Sequence, residues 1–173
     1  ILNEQEGYNK ILLNLYIPYK NRTTEIDSVL INKYGIFVIE SKGYSGWIFG
    51  NEKHKQWTQV LYKKKIRFYN PIIQNRNHIL ALMGILERYN ADIFRSYIVF
   101  SERCSLKKIL INKPNIKVIK RSRLEETLNS DYKKYGKILS NEQIDEIYNK
   151  LVLYMYTDKT VKENHKKYIN NIK

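Results

Sequence analysis

Ile36-Phe37-Val38-Ile39 is a run of four apolar residues that begins after Gly35 and ends directly on Glu40-Ser41-Lys42. A strand with one solvated face alternates apolar and polar residues, so this unbroken run predicts a central strand buried on both faces. Such a strand needs cover on each side, which narrows the chain to a sheet flanked by helices. The run also delivers polar groups to a definite place. Glu40 and Lys42 are two residues apart and project from one face, where a buried strand emerges. A carboxylate left unpaired there is costly, and a bound cation or Lys42 would relieve it.

Ile26 to Asn32 predicts the preceding strand, with Glu25-Ile26-Asp27 at its start and Lys33-Tyr34-Gly35 as a short turn. A hairpin of these two strands brings Asp27 beside Glu40 and Lys42. Two carboxylates and an ammonium at sheet ends suit a Mg²⁺ site for phosphodiester hydrolysis. The same residues read alone also suit a surface ion pair worth about 0–1 kcal/mol.

Around this hairpin the pattern predicts an amphipathic helix from about Glu4 to Tyr16, carried by Ile11, Leu12 and Leu15 and ended by Pro18. Trp47-Ile48-Phe49 and Trp57 to Tyr62 read as strands, and Lys63-Lys64-Lys65 as a solvated turn. Gly43, Gly46 and Gly50 mark turns rather than a phosphate-binding motif. Asn70-Pro71 predicts an N-cap and first turn for a long helix through Ile79, Leu82 and Leu86. Tyr97–Phe100 and Ile116–Ile119 follow as strands. Helices are then expected from Arg121, from Asn141 to Met155, and over a basic stretch from Lys159 to Ile169. The fold class is α/β, a mixed sheet flanked by helices. It is read as one domain over residues 1–173, with a core at about 4–120 and a helical extension at about 121–173.

Lysine and arginine number 31 against 17 acidic residues, a net charge of +14, which favours an anionic partner such as nucleic acid or a membrane surface. Abundant Lys, Asn, Ile and Tyr also suit an AT-rich genome. No apolar run approaches the roughly 18 residues of a membrane span, and no signal-peptide pattern is present. The chain begins at Ile1, so membrane association is left to an upstream segment or to the basic C-terminal helices around Lys159, Lys162, Lys166 and Lys167. The single Cys104 excludes an internal disulfide and fits a reducing, cytoplasmic compartment. His54, His78 and His165 have no zinc-ligand spacing and read as polar surface or helix-flank residues.

Thr24–Asp27, Gly35–Lys42 and Gly43–Gly46, followed in order by Trp57-Thr58-Gln59 and Asn70-Pro71-Ile72-Ile73-Gln74, resemble the NERD (nuclease-related) domain over residues 4 to about 101. The resemblance implies a restriction-endonuclease-like fold of the PD-(D/E)XK superfamily and a nuclease dependent on Mg²⁺ or Mn²⁺. By it, Asp27 and Glu40 are metal ligands and the Ser41 carbonyl a third. Lys42 orients or deprotonates the attacking water and offsets phosphate charge. The family places an acid on the first helix, for which Glu6 stands, with Glu4 the alternative; Gly7 follows Glu6 where the family has it before. Gln74 supports the metal site or substrate. Lys53, Lys55, Lys63, Lys64, Lys65 and Arg67 lie near Trp57, Tyr62, Phe68 and Tyr69, a mixture of cations and aromatics that suits phosphate and base contacts or, for the aromatics, core packing. The expected activity is that of a bacterial DNA nuclease without a small-molecule cofactor. The alternative is a non-catalytic nucleic-acid-binding or regulatory module that retained the fold. Oligomeric state is left open.

Overall fold

The computed structural model describes residues 7–155. In chain order these form β1 (Asn9–Tyr19), β2 (Arg22–Asn32), β3 (Gly35–Lys42), β4 (Gly46–Asn51), β5 (Gln56–Leu61), β6 (Lys64–Tyr69), α1 (Pro71–Ile85), β7 (Phe94–Phe100), β8 (Cys104–Leu110), β9 (Ile116–Lys120), α2 (Leu124–Tyr135) and α3 (Asn141–Leu151). The main sheet runs β1-β2-β3-β7-β9 and the second β6-β5-β4-β8. β1, β2 and β3 are antiparallel neighbours, while β3, β7 and β9 run parallel. This is a mixed α/β architecture, consistent with a restriction-endonuclease-like fold.

The apolar run occupies the middle of the main sheet, as its composition requires. Ile36 and Val38 face one side, where they pack with Ala81, Leu82 and Leu86 of the α1 region and with Ile144, Ile147 and Leu151 of α3. Phe37 and Ile39 face the other, with Tyr97 and Val99 beneath Leu124 and Leu128 of α2. Gly35 permits the entry: its φ is +131°, and a Cβ there would lie 2.5 Å from the Ile93 carbonyl oxygen. Asn70 caps α1 by accepting from the Ile72 N–H, with Pro71 in the first turn. Ser140 and Gln143 form a capping box at the start of α3.

Two expectations are corrected, and two strands were not expected. The segment read as a helix ending at Tyr16 is a strand, β1, from Asn9 onward; Glu4 and Glu6 lie outside the described residues. Asn14 has φ +51°, and the residues buried in the α1-side cluster change from Leu12 to Leu15 across it. β2 makes the matching step from Val29 to Ile26, and Asn14 and Asp27 both drop out of the β1–β2 register. A left-handed residue interrupts the period of two and leaves a spacing of three, which imitates a helix. Lys63-Lys64-Lys65 is not all turn. The chain reverses at Tyr62 and Lys63, and Lys64 and Lys65 pair with Leu61 and Val60. β6 escapes detection because it is an edge strand whose side chains are mostly exposed, so it carries no apolar alternation. β8 is hidden likewise by consecutive exposed lysines beside a register shift. The basic stretch from Lys159 to Ile169 lies outside the described residues. Among the described residues, no helix is long and apolar enough to cross a membrane.

Candidate active site

The β2–β3 ladder pairs Asn32 with Gly35 and proceeds to Ser28 opposite Ile39, where it stops. Beyond that point β2 continues on β1 and β3 continues on β7. The strands therefore part like a fork, with Asp27 on one arm and Glu40-Ser41-Lys42 on the other. The Ser41 N–H donates to Asp27 Oδ2 at 2.7 Å, so a carboxylate takes the place of a ladder carbonyl. In an extended strand the N–H and C=O of one residue point to the same side, so the Ser41 carbonyl also faces the fork.

Glu40 and Lys42 share the α1 face with Val38, as a period of two requires. Lys42 Nζ donates to Glu40 Oε1 at 2.5 Å and to Gln74 Oε1 at 3.0 Å. On α1, Gln74 and His78 are one turn apart, with Asn75 on the same flank. His78 Nε2 lies 3.0 Å from Glu40 Oε2, and its Nδ1 lies 2.8 Å from the Thr24 hydroxyl of β2. Asn75 donates to the Val38 carbonyl and the Ser96 hydroxyl, fixing the helix against β3 and β7. A helix laid on a sheet would ordinarily present apolar groups there; α1 presents an amide, an amide and an imidazole at its N-terminal half, and turns apolar at Ala81 and Leu82.

The two carboxylates are tuned in opposite directions. Burial, then the neighbouring Glu40 charge, hold Asp27 above the ordinary aspartate range against the pull of the Ser41 N–H and Lys42. Glu40 is only 3% exposed. Burial opposes its charge, but His78 and Lys42 together outweigh it and hold Glu40 below the usual glutamate range. The oxygen donors on offer are the Asp27 carboxylate, the Glu40 carboxylate and the Ser41 carbonyl. That hard-oxygen set suits Mg²⁺ or Mn²⁺, which take few protein ligands and retain water. Among the described residues, no group of three His, Cys, Asp or Glu side chains converges as a metal cluster. Glu40 Oε1 is occupied by Lys42, whose alternative acceptor, Gln74, is already within reach.

Asp27, Glu40, Ser41, Lys42 and Gln74 thus meet at one place. The basic group lies on the strands and turns of the second sheet. Lys53 and Lys55 are exposed between β4 and β5, Lys63 at the β5–β6 turn, and Lys64, Lys65 and Arg67 on β6. Of the nearby aromatics, Trp57 is core: it is 1% exposed, stacks parallel to Phe100 and donates to the Asn51 carbonyl at 3.0 Å. Tyr62 and Tyr69 are exposed, and Phe68 packs against Tyr44. His78 corrects the reading of that histidine as surface or helix flank, being 3% exposed beside Glu40. Its position four residues after Gln74 was the available signal. Thr24 and Asn75 were also missed.

A family model described as the nuclease-related domain matches residues 1–101, a span that contains every residue of this site. An uncharacterized protein of Bacillus anthracis is 34% identical over 160 residues, covering 92% of this chain and 72% of that protein. No solved structure matches the chain.

Proposed function

The chain belongs to the nuclease-related domain (NERD) family, and from that premise we propose a divalent-metal-dependent nuclease that hydrolyses phosphodiester bonds in DNA. The observation that carries this reading is the fork, where Asp27 and the Ser41 peptide of separate strands meet beside Glu40 and Lys42. A sheet has no need to open there for stability. The opening gathers oxygen donors and one ammonium around a single point.

In this reading Asp27, Glu40 and the Ser41 carbonyl hold Mg²⁺ or Mn²⁺. When bound, the metal polarises the scissile phosphate and favours ionisation of the attacking water. Lys42 offsets charge on the phosphate and orients or deprotonates that water. Gln74 gives the Lys42 ammonium a neutral acceptor when Glu40 is engaged elsewhere, keeping it aimed at the site. His78 and Thr24 fix the orientation of Glu40 from behind. The net charge of +14 supports a polyanionic substrate, and the single cysteine supports a reducing, cytoplasmic setting.

The test is incubation of the purified protein with closed circular DNA, linear duplex, single-stranded DNA and RNA, in Mg²⁺, Mn²⁺ or EDTA. Cleavage of DNA with metal and none in EDTA is the expected result. Intact substrates in every metal condition, with the protein folded by circular dichroism, would overturn the reading.

A further inference from the structure

The second sheet has an inner face that packs and an outer face that does not. Ile48, Trp57 and Cys104 point inward to a cluster with Ile72, Ile98 and Phe100. The outward residues line up in two rows across the strands. One row is Lys65, Val60, Trp47 and Ser105; the other is Arg67, Thr58, Phe49 and Lys108. Lys107, at the register shift, places its ammonium 5.1 Å from the centre of the Trp47 ring. Each row has a cation on β6 and an aromatic on β4, and neither contains an acid.

Trp47 is 53% exposed, whereas Trp57 on the inner face is 1% exposed. Trp47 and Phe49 are about 7 Å apart along β4. Stacking on an exposed indole requires a base whose face is free, which a paired base in a duplex does not offer. A face-to-face pairing of two copies would oppose cations to cations. Trp47 is five Cα steps along the chain from Lys42, so it lies within about 18 Å of that residue at the fork. A polymer seated on one can reach the other.

We propose that the outer face of the second sheet binds single-stranded nucleic acid, stacking an unpaired base on Trp47 and neutralising phosphates with Lys65, Arg67, Lys107 and Lys108. Nucleic acid as the polymer rests on the function proposed above; cleavage is not required.

The experiment is titration of the protein with oligothymidine, oligouridine and a short duplex, in EDTA, following tryptophan fluorescence and anisotropy across a salt series. Since EDTA prevents metal-dependent cleavage, a failed nuclease reading leaves this result intact. Both single strands, or one of them, are expected to bind more tightly than duplex and to quench the Trp47 emission, the preferred strand identifying the sugar. Trp47→Ala should weaken binding roughly 5- to 150-fold, the loss of one base stack, and abolish the quench. Trp47→Leu, which keeps apolar bulk without the ring, should abolish it too. Lys65→Ala and Lys108→Ala should each flatten the log–log salt dependence by about 0.7. Unchanged affinity in both Trp47 variants, tighter binding of duplex without quenching, or self-association through Trp47 with no oligonucleotide bound would overturn the proposal.

Discussion

At the scale of single residues, Glu40 shows how a buried charge is kept. One oxygen meets Lys42 and the other His78, which is itself held by Thr24. His78→Ala removes one partner of an ionised, nearly inaccessible carboxylate, and should cost about 1.5–3 kcal/mol, read by urea unfolding. The pH dependence has two signs. Glu40 has a depressed pKa, so its stabilising contribution is full above the ordinary glutamate value and fades as pH falls through the depressed one. Asp27 has a raised pKa, so its ionisation costs stability above that value. In EDTA at neutral pH, Glu40→Gln should therefore melt below wild type and Asp27→Asn above it, and both differences should shrink on acidification. Melting curves between about pH 3 and 8 read the two together. Asp27, Glu40 and Lys42 could be recognised from the chain because hairpin pairing and the period of two are local rules. For His78 the local spacing from Gln74 marks only the helix face, and its pairing with Glu40 was hidden because its partners come from strands 38 and 54 residues away.

At the scale of elements, one backbone angle accounts for the principal misreading. β1 has helix-like spacing because Asn14 is left-handed, and the same break carries Asp27 on β2. Asn14 is exposed, so substitution there probes conformation with little packing change. Asn14→Ala should cost about 1–2 kcal/mol, the penalty of a left-handed side chain, and Asn14→Gly less, by denaturant midpoint at constant m-value. The long helix α1 and strands β3 and β7 were readable because caps and apolar runs announce them. β6 and β8 were not, because exposed edge strands rich in lysine have neither signal.

At the scale of the whole molecule, two sheets with different tasks meet at the short link between Lys42 and Gly46. The main sheet buries β3 on both faces and forks at its end; the second turns an aromatic and basic face outward. Local patterning cannot reveal the second arrangement, since it depends on cross-strand register between segments as far apart as Trp47 and Ser105. If the fork holds a metal, binding stabilises the fold by mass action. Mg²⁺ at about a hundred times its dissociation constant should add about 2.7 kcal/mol, seen as a rise in melting temperature that Asp27→Asn lacks. The most direct test of the central claim is cleavage of closed circular DNA in Mg²⁺ or Mn²⁺ by wild type, Asp27→Asn and Lys42→Ala, each verified as folded. Nicking or linearisation by wild type and none by either variant is the predicted result; equal cleavage by all three would contradict the assignment of the site.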